Sequence, residues 1–326
     1  MLDIQPLKSF NTQFQVTSCI DDHFRTISTW LGRDTRTMYA DAWAFEYNAD
    51  AQQLLLDRVV YPRLNLGYLD TYHGIQVDFR DRNFSGTSLN SNEDEKPFLD
   101  MLQSELDAGM AVLVGIDVYY CPWSDGYLKT HARHSCLAVG IDQKDQKIML
   151  VDAYYGQKNM EMELQLFLNI SFYYAIFRLT DPCSSHNDWK GLLSSSLHDQ
   201  TSIPTMRNSI RNLKDFAKAY SEEGIVISDP KIDTQHAIFQ WMRFSLARLR
   251  YASFIFYLHE LSQEDMFHTI GRHYLELARK WDAIMHQSIK SSFSGDPVNQ
   301  RQKIYNKMLF IIQNESELLN QLQDLA

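Results

Sequence analysis

Three residues in the first half of the chain have the side-chain types that a cysteine-dependent catalyst needs. Cys19 lies at the start of a helical pattern. His134 begins one apolar run, and Asp152 ends the next one, which follows after a short polar segment. Because apolar runs of this length are typical of buried strands, the imidazole and the carboxylate would lie on neighbouring strands. A thiol, a histidine base and an orienting carboxylate together carry out nucleophilic acyl transfer.

The residues around Cys19 predict that its thiol lies at the N-terminus of a helix. Thr17 and Ser18 are both residue types that cap helices. Apolar residues follow them at helical spacing, at Phe24, Ile27 and Leu31. Cysteine attacks as the thiolate, which the unpaired N–H groups and the dipole at a helix start stabilise. The alternative is a structural role, because cysteine is among the residue types most often buried in a core.

Other residues nearby are candidates for roles at such a site. Gln13, six residues before Cys19, could donate its side-chain amide to an oxyanion, although a surface glutamine is an equally simple interpretation. His131 lies three residues before His134 and competes with it for the role of base. Asp152 has its own alternative, since aspartate is also common in turns.

A metal site is the competing interpretation of the same region. Cys121, His131, His134 and Cys136 are potential zinc ligands. Their spacing does not match a structural zinc pattern, because residues 134 and 136 of a strand point to one side and residue 131 lies outside that alternation. No glycine-rich stretch has a nucleotide-binding spacing either. The sequence therefore predicts neither a metal site nor a bound cofactor.

The chain changes character near residue 185. Before it, short apolar runs alternate with turn residues, which predicts a mixed region of helices and strands. The strongest strand predictions are 111–119, 135–141, 147–152 and 170–179. After it, apolar residues recur at helical spacing, which predicts about four or five helices. The sequence thus predicts an α+β fold with two domains, residues 1–185 and residues 186–326, of which the second is all-helical.

Composition and charge limit the function. The 326 residues are 44% hydrophobic, and the formal net charge is −10 at pH 7. A protein of this charge lacks the basic patch that nucleic-acid binding requires. No apolar segment is long enough to span a bilayer, and the first residues do not follow a signal-peptide pattern. Four cysteines in a chain of this length are typical of reduced thiols, so we expect a cytoplasmic protein without a nucleic-acid or membrane partner.

Several segments resemble known families. The stretch Gln13-Phe-Gln-Val-Thr-Ser-Cys19 is similar to one in bacteriocin-processing cysteine peptidases. Four later segments resemble the butirosin-biosynthesis protein H family: Asp117-Val-Tyr-Tyr-Cys-Pro122, Tyr127-Leu-Lys-Thr-His-Ala-Arg-His134, Val139-Gly-Ile-Asp142 and Val151-Asp152. That family joins a papain-like N-terminal domain to a helical C-terminal domain, so the resemblance covers most of the chain.

The resemblance implies a papain-like catalytic domain over residues 1–185 and an acyltransferase activity. In that family a cysteine accepts an acyl group from the phosphopantetheine thioester of a carrier protein and passes it to an amine. Carried over by position, Cys19 would be the nucleophile, His134 the base and Asp152 the orienting acid.

The chain departs from the family pattern in two places. Ile20 stands where relatives commonly have glycine, which bears on the geometry of the oxyanion site. Residues 38–47 replace the glycine-rich stretch after the first helix, which predicts a different acyl pocket. The aromatic segments Trp43–Tyr47 and Tyr119–Trp123 could form its walls, and ordinary core packing is the alternative for both.

We therefore expect a cysteine-dependent acyltransferase of peptide or other secondary-metabolite biosynthesis, antibiotics included. Its expected partners are an acyl or peptidyl carrier protein, which would bring the phosphopantetheine, and a small amine acceptor. Arg243, Arg248 and Arg250 could contact an acidic carrier protein or form ion pairs on a helix surface. The alternatives are a peptidase or thioesterase with the same triad, and a non-catalytic module that docks a carrier protein. The sequence leaves a homodimer open.

Overall fold

The computed structural model describes residues 1–7, 18–60, 64–82, 95–182, 188–198, 206–230, 232–294 and 297–326. The chain forms two compact units: the first combines Met1–Thr35 with Leu66–Cys183, and the second combines Arg36–Asn65 with Ser184–Ala326. Within the described ranges there are one six-stranded sheet and nine α-helices. The predicted α+β class is confirmed.

The first unit is built around an antiparallel sheet. Its strands are β1 (Ile75–Asp81), β2 (Val112–Asp117), β3 (Arg133–Asp142), β4 (Lys147–Asp152), β5 (Gln157–Glu163) and β6 (Tyr173–Leu179). They are hydrogen-bonded in the order β1-β6-β2-β3-β4-β5, and each neighbouring pair is antiparallel. The sequence predicts the hairpin between β3 and β4, whose turn is the polar segment 143–146.

Four helices accompany the sheet in the first unit. They are α1 (Cys19–Trp30), α2 (Leu66–His73), α3 (Glu95–Asp107) and α4 (Leu164–Ile170). The apolar side chains of β2, β3 and β4 pack with those of α3 and α4 in a buried cluster that includes Leu102, Val114, Ala138, Leu150 and Phe167. This core holds the ends of β3 and β4 in place, where two of the predicted site residues lie.

Helix α1 begins where the sequence predicts it. Ser18 is its N-cap, and the Ser18 Oγ accepts a hydrogen bond from the N–H of Asp21 at 3.2 Å. Phe24 is buried and meets Phe177 of β6 edge-on, with 5.6 Å between the ring centroids. This packing anchors α1 against the sheet, and Cys19 is the first residue of the helix.

The described residues of the second unit after residue 187 form five α-helices. These helices are α5 (Trp189–His198), α6 (Met206–Glu223), α7 (Ile232–Ser262), α8 (Asp265–Ser292) and α9 (Pro297–Leu325). Helix α7 is buried along most of its length, as its nearly continuous apolar sequence predicts. No helix in the described part of the chain is both long enough and apolar enough to cross a membrane.

Residues 36–65 pack with the helices of the second unit and fold into two short 3₁₀ helices, Arg36–Tyr39 and Leu55–Arg58. The ring of Phe45 lies 5.1 Å from that of Phe244, and the indole N–H of Trp43 donates to the carbonyl of Ser196 at 3.2 Å. These aromatic side chains are therefore core residues of the second unit. The sequence prediction divided the chain once, near residue 185, whereas the chain also changes unit after Thr35 and Asn65.

Two of the three arginines considered for carrier-protein contact are buried. Arg248 and Arg250 are each 2% exposed. The guanidinium of Arg248 donates to the Glu315 carboxylate at 3.0 and 2.6 Å, and the indole N–H of Trp281 donates to the same carboxylate at 2.7 Å. The ion-pairing alternative therefore describes Arg248, although the pair lies inside the helical unit and not on its surface.

Candidate active site

Three elements of the first unit bring Cys19, His134 and Asp152 together. Cys19 is the first residue of α1, His134 lies near the start of β3, and Asp152 is the last residue of β4. The Nε2 of His134 lies 2.7 Å from Oδ2 of Asp152, and the Cys19 side chain lies close enough to His134 to raise the pKa of the imidazole. The imidazole thus lies between the carboxylate and the thiol, which is half-buried.

Asp152 is held by several donors in a buried position. The indole N–H of Trp123 donates to its Oδ2 at 2.7 Å, and the backbone N–H of Tyr155 donates to its Oδ1 at 3.2 Å. The thiol of Cys136 lies 3.6 Å from Oδ2. Burial alone would raise the pKa of Asp152, but the hydrogen bond and the charge of His134 outweigh it and lower this pKa. Asp152 is therefore an anion at neutral pH and fixes the orientation of the His134 ring.

The His134 imidazole is positively charged at neutral pH. Burial alone would lower its pKa, but the hydrogen bonds to Asp152 and Cys19 and the charges of those two groups raise the pKa of His134 to about 9. The rings of Tyr154 and Tyr155 pack edge-on against the imidazole, with centroid distances of 5.8 and 5.5 Å. An imidazolium beside a thiol at a helix start is the environment that favours a thiolate.

A second histidine, His23, lies at the centre of the site and is absent from the sequence prediction. Its Nε2 lies 3.2 Å from the backbone N of Ala153 and 4.0 Å from Oδ1 of Asp152. Its Nδ1 contacts the carbonyl oxygen of Cys19. One signal could have found it: residue 23 follows Cys19 by four positions, so both lie on the same side of α1.

The hydrogen bonds of the two histidines decide which one can exchange a proton with Cys19. Both ring nitrogens of His23 have backbone partners, the carbonyl of Cys19 and the N–H of Ala153. His134 uses only Nε2 for Asp152, so its Nδ1 is the nitrogen left for the thiol. Of the two histidines, His134 is therefore the one whose ring could exchange a proton with Cys19.

The remaining candidates lie elsewhere or outside the described residues. His131 is exposed, its Nδ1 lies 2.6 Å from Oδ2 of Asp117, and its ring stacks on Tyr119 at 4.2 Å. It therefore has a carboxylate partner of its own, which is not Asp152. Gln13 lies outside the described residues, and its predicted oxyanion role stays a prediction.

The four residues weighed as zinc ligands do not form a cluster in the described chain. Within it, the group whose potential ligand atoms lie within 4.8 Å of one another is His23, Cys136 and Asp152. The lone pair of His23 Nε2 already accepts the Ala153 N–H, and Asp152 already accepts several donors. Burial also raises the pKa of Cys136 well above its usual value, which disfavours the thiolate that binds a metal. The polar atoms of His23 and Asp152 thus already have hydrogen-bond partners in the described chain.

Comparison with protein-family models gives one match to this region. Residues 66–153 match the model described as butirosin biosynthesis protein H, N-terminal. The chain is similar to the butirosin biosynthesis protein H family. The matched residues include His134, Asp152 and the strands that carry them, whereas Cys19 and the helices α5 to α9 lie outside the match. The resemblance to the butirosin biosynthesis protein H family is thereby confirmed. A comparison with curated protein sequences found no match.

Proposed function

We propose that the chain is a cysteine-dependent acyltransferase with a papain-like first unit, which moves an acyl or aminoacyl group from a carrier-protein thioester to an amine. The observation that carries the proposal is the His134 imidazole, held between the Asp152 carboxylate and the Cys19 thiol. Two of these residues lie in the stretch that matches the butirosin biosynthesis protein H family, which supports a biosynthetic enzyme.

The first half of the proposed reaction forms an acyl-enzyme. His134 already carries the proton as the imidazolium partner of the Cys19 sulfur, and the Cys19 thiolate attacks the thioester carbonyl of the acylated carrier. The oxyanion that forms would be held by the backbone N–H of Cys19 and by Gln13. When the intermediate collapses, His134 gives the proton to the departing phosphopantetheine thiol. Asp152 stabilises the imidazolium through the 2.7 Å hydrogen bond.

The second half transfers the acyl group. An amine attacks the acyl-enzyme carbonyl, His134 takes a proton from the nitrogen, and the amide product leaves as Cys19 is released. A thioester is already activated, so the main tasks of the protein are to position the amine and to exclude water. In this proposal phosphopantetheine belongs to the carrier, and the chain itself needs no cofactor.

The experiment is an end-product assay with carrier proteins that bear different acyl groups and with a set of small amines. Mass spectrometry of the products separates the amide from the free acid. The proposal expects the amide, formed by the wild-type chain and lost in Cys19→Ala. Cys121→Ser is the matched control, because Cys121 is a buried thiol on the β2–β3 connection whose pKa burial raises to about 12.

The alternatives predict other products from the same assay. Free acid without amide, again lost in Cys19→Ala, would identify a thioesterase. Retention of the carrier protein on the chain with neither product would favour a docking module. Either result would overturn the proposed acyl transfer.

A further inference from the structure

His23 connects the helix that carries Cys19 to the strand that carries Asp152. It is fully buried in the first unit, four residues after Cys19 in α1. Its partners are backbone atoms on both sides: the carbonyl of Cys19 within its own helix, and the N–H of Ala153 directly after β4. A single side chain thus spans the two elements that must keep their spacing for a thiol and a carboxylate to share one imidazole.

The hydrogen bonds define the tautomer of the ring. A carbonyl oxygen can only accept, so Nδ1 must carry the hydrogen that is donated to Cys19. A backbone N–H can only donate, so Nε2 must present its lone pair to Ala153 at 3.2 Å. Both requirements are met together by the neutral imidazole with its proton on Nδ1. The protonated ring could not keep the bond to Ala153.

The surroundings favour the same neutral form. His134 carries a positive charge, and its ring centroid lies 6.3 Å from that of His23. Asp152 favours a charge on His23, since its Oδ1 lies 4.0 Å from Nε2, and Cys136 is a further titratable group near the ring. Burial outweighs the attraction of Asp152 and lowers the pKa of His23 to about 4. Two neighbouring histidines therefore differ in charge at neutral pH.

We infer that His23 is a positioning residue, which fixes the turn bearing Cys19 against the end of β4 through its bond to Ala153 and so holds the thiol in reach of His134. The inference rests on the proposed role of Cys19. It adds a residue that acts through the position of Cys19 and takes no part in the proton transfer itself. It also explains why an imidazole lies at a fully buried position where a leucine or phenylalanine would fill the space without polar groups to satisfy.

Two conservative variants separate the two hydrogen bonds of His23. The side-chain amide of glutamine reaches about as far as Nε2, so His23→Gln can still accept the N–H of Ala153. The amide of asparagine reaches about as far as Nδ1, so His23→Asn keeps the bond within α1 and loses the connection to β4. His23→Leu removes both bonds.

The test measures the rate at which iodoacetamide alkylates Cys19 in the folded, full-length chain, followed on the Cys19 peptide by mass spectrometry between pH 6 and pH 9. Misplacement of a reacting group by about 1 Å can cost on the order of a hundredfold. We expect His23→Gln to stay close to the wild type, and His23→Asn and His23→Leu to react about ten- to hundredfold more slowly with a changed pH profile.

Several outcomes would overturn the inference. Equal rates in all four proteins would do so, as would equal losses in the glutamine and asparagine variants. A wild-type Cys19 no more reactive than a thiol of the unfolded chain would leave nothing for His23 to position. The assay needs no acyl substrate, so a wild type that reacts as expected but transfers no acyl group would contradict the proposed function and leave the positioning role intact.

A measurement on the wild type covers the case in which a variant does not fold. The ¹⁵N chemical shifts of the His23 ring distinguish a protonated nitrogen from one with a free lone pair. We expect a protonated Nδ1, an unprotonated Nε2 and a slowly exchanging Ala153 N–H at pH 7. A proton on His23 Nε2 at this pH would contradict the bond to Ala153 and with it the inference.

Discussion

The two histidines beside Cys19 have opposite electrostatic requirements. His134 lies against the Asp152 carboxylate at 2.7 Å and is a cation at neutral pH, whereas His23 is enclosed by backbone partners and is neutral. Asp152 is near both, but its short hydrogen bond goes to His134. The charged ring of His134 can therefore serve as the counter-ion of a Cys19 thiolate. The neutral ring of His23 can donate to the carbonyl of Cys19 and accept from the N–H of Ala153.

The two histidines of the segment 131–134 provide a matched pair of substitutions. We expect His134→Ala to lower the rate of acyl transfer by about 10²–10⁴, because the general base and the counter-ion of Cys19 are lost together. His131→Ala should leave the rate close to that of the wild type, because His131 is exposed and bonds Asp117. The measurement is the transfer rate at saturating thioester. A larger loss in His131→Ala would mean that the wrong histidine has been assigned as base.

The neutral state of His23 predicts a pH dependence of stability. The pKa of His23 is about 6.5 in the unfolded chain and about 4 in the folded chain, so between these values the unfolded chain is protonated at His23 and the folded chain is not. The free energy of unfolding should therefore fall as the pH drops through this window, by about 3 kcal/mol from this one group. His134 contributes little in the same window and with the opposite sign, because its folded pKa is raised to about 9 and the unfolded chain completes its protonation as the pH falls below 6.5.

Urea unfolding of the wild type and of His23→Gln between pH 4 and pH 7 measures this contribution. The wild type should lose about 3 kcal/mol more stability than the variant between pH 7 and pH 4, because glutamine takes up no proton on unfolding. His131→Gln is the control for the loss of a histidine outside the site. Parallel profiles for the wild type and His23→Gln would contradict a neutral His23.

At the scale of helices and strands, burial decides what could be predicted from the sequence. Strands β2, β3 and β4 are nearly continuous apolar runs because they lie inside the sheet, and the sequence shows them clearly. Strands β1 and β5 are the two edges and expose most of their residues, so their sequences, such as Gln-Lys-Asn-Met-Glu-Met-Glu, lack an apolar run. The strands that carry His134 and Asp152 are among the predictable ones.

The contact of His23 with Ala153 could not be predicted in the same way. It joins a helix to a strand end 130 residues further along the chain, and depends on how α1 packs against the sheet. Periodicity places His23 on the same side of α1 as Cys19, but it does not show which strand end meets that side. The local sequence pattern thus predicts the helix and strands of the site, whereas the place of His23 in it depends on tertiary packing.

The buried ion pair between α7 and α9 gives a prediction at the scale of elements. Arg248→Met should destabilise the chain by about 3–5 kcal/mol, because it leaves the Glu315 carboxylate buried without its cation. The double variant Arg248→Met with Glu315→Leu should cost less, because no buried charge remains. Arg36→Met is the control, since the Arg36–Glu260 pair is largely exposed on the glutamate side and should contribute at most about 1 kcal/mol.

Denaturant unfolding of the four proteins measures these costs. A double variant as unstable as Arg248→Met would show that the cost comes from packing around the arginine and not from an unpaired carboxylate.

At the scale of the whole molecule, the sequence shows the change to helices near residue 185 but not the assignment of residues 36–65. This segment lies among residues of the first unit in sequence and has no long helical pattern of its own. Aromatic residues occur both in pocket walls and in cores, so their type alone does not show which role this segment has. The partners of Phe45 and Trp43 lie more than 150 residues away, so their core role follows from tertiary structure alone.

The discontinuous units predict how truncated chains behave. A chain that ends at residue 183 keeps residues 36–65 but loses the helices that bury them, so Trp43, Phe45 and Tyr47 become exposed. We expect this chain to aggregate. A chain that joins residues 1–35 to 66–183 through a short Gly-Ser linker should be soluble, because it contains the first unit alone. Size-exclusion chromatography compares them; a monomeric, cooperatively unfolding chain 1–183 would contradict the division into these units.

Intact-mass analysis with peptide mapping shows whether Cys19 accepts the acyl group. The chain is mixed with a carrier protein that bears an acyl thioester, and the reaction is stopped in acid before hydrolysis. We predict a mass increase equal to the acyl group on the Cys19 peptide of the wild type, and no adduct in Cys19→Ala with an unchanged thermal midpoint. An acyl group on Cys121, Cys136 or Cys183, or a Cys19→Ala variant that turns over like the wild type, would show that Cys19 is not the nucleophile.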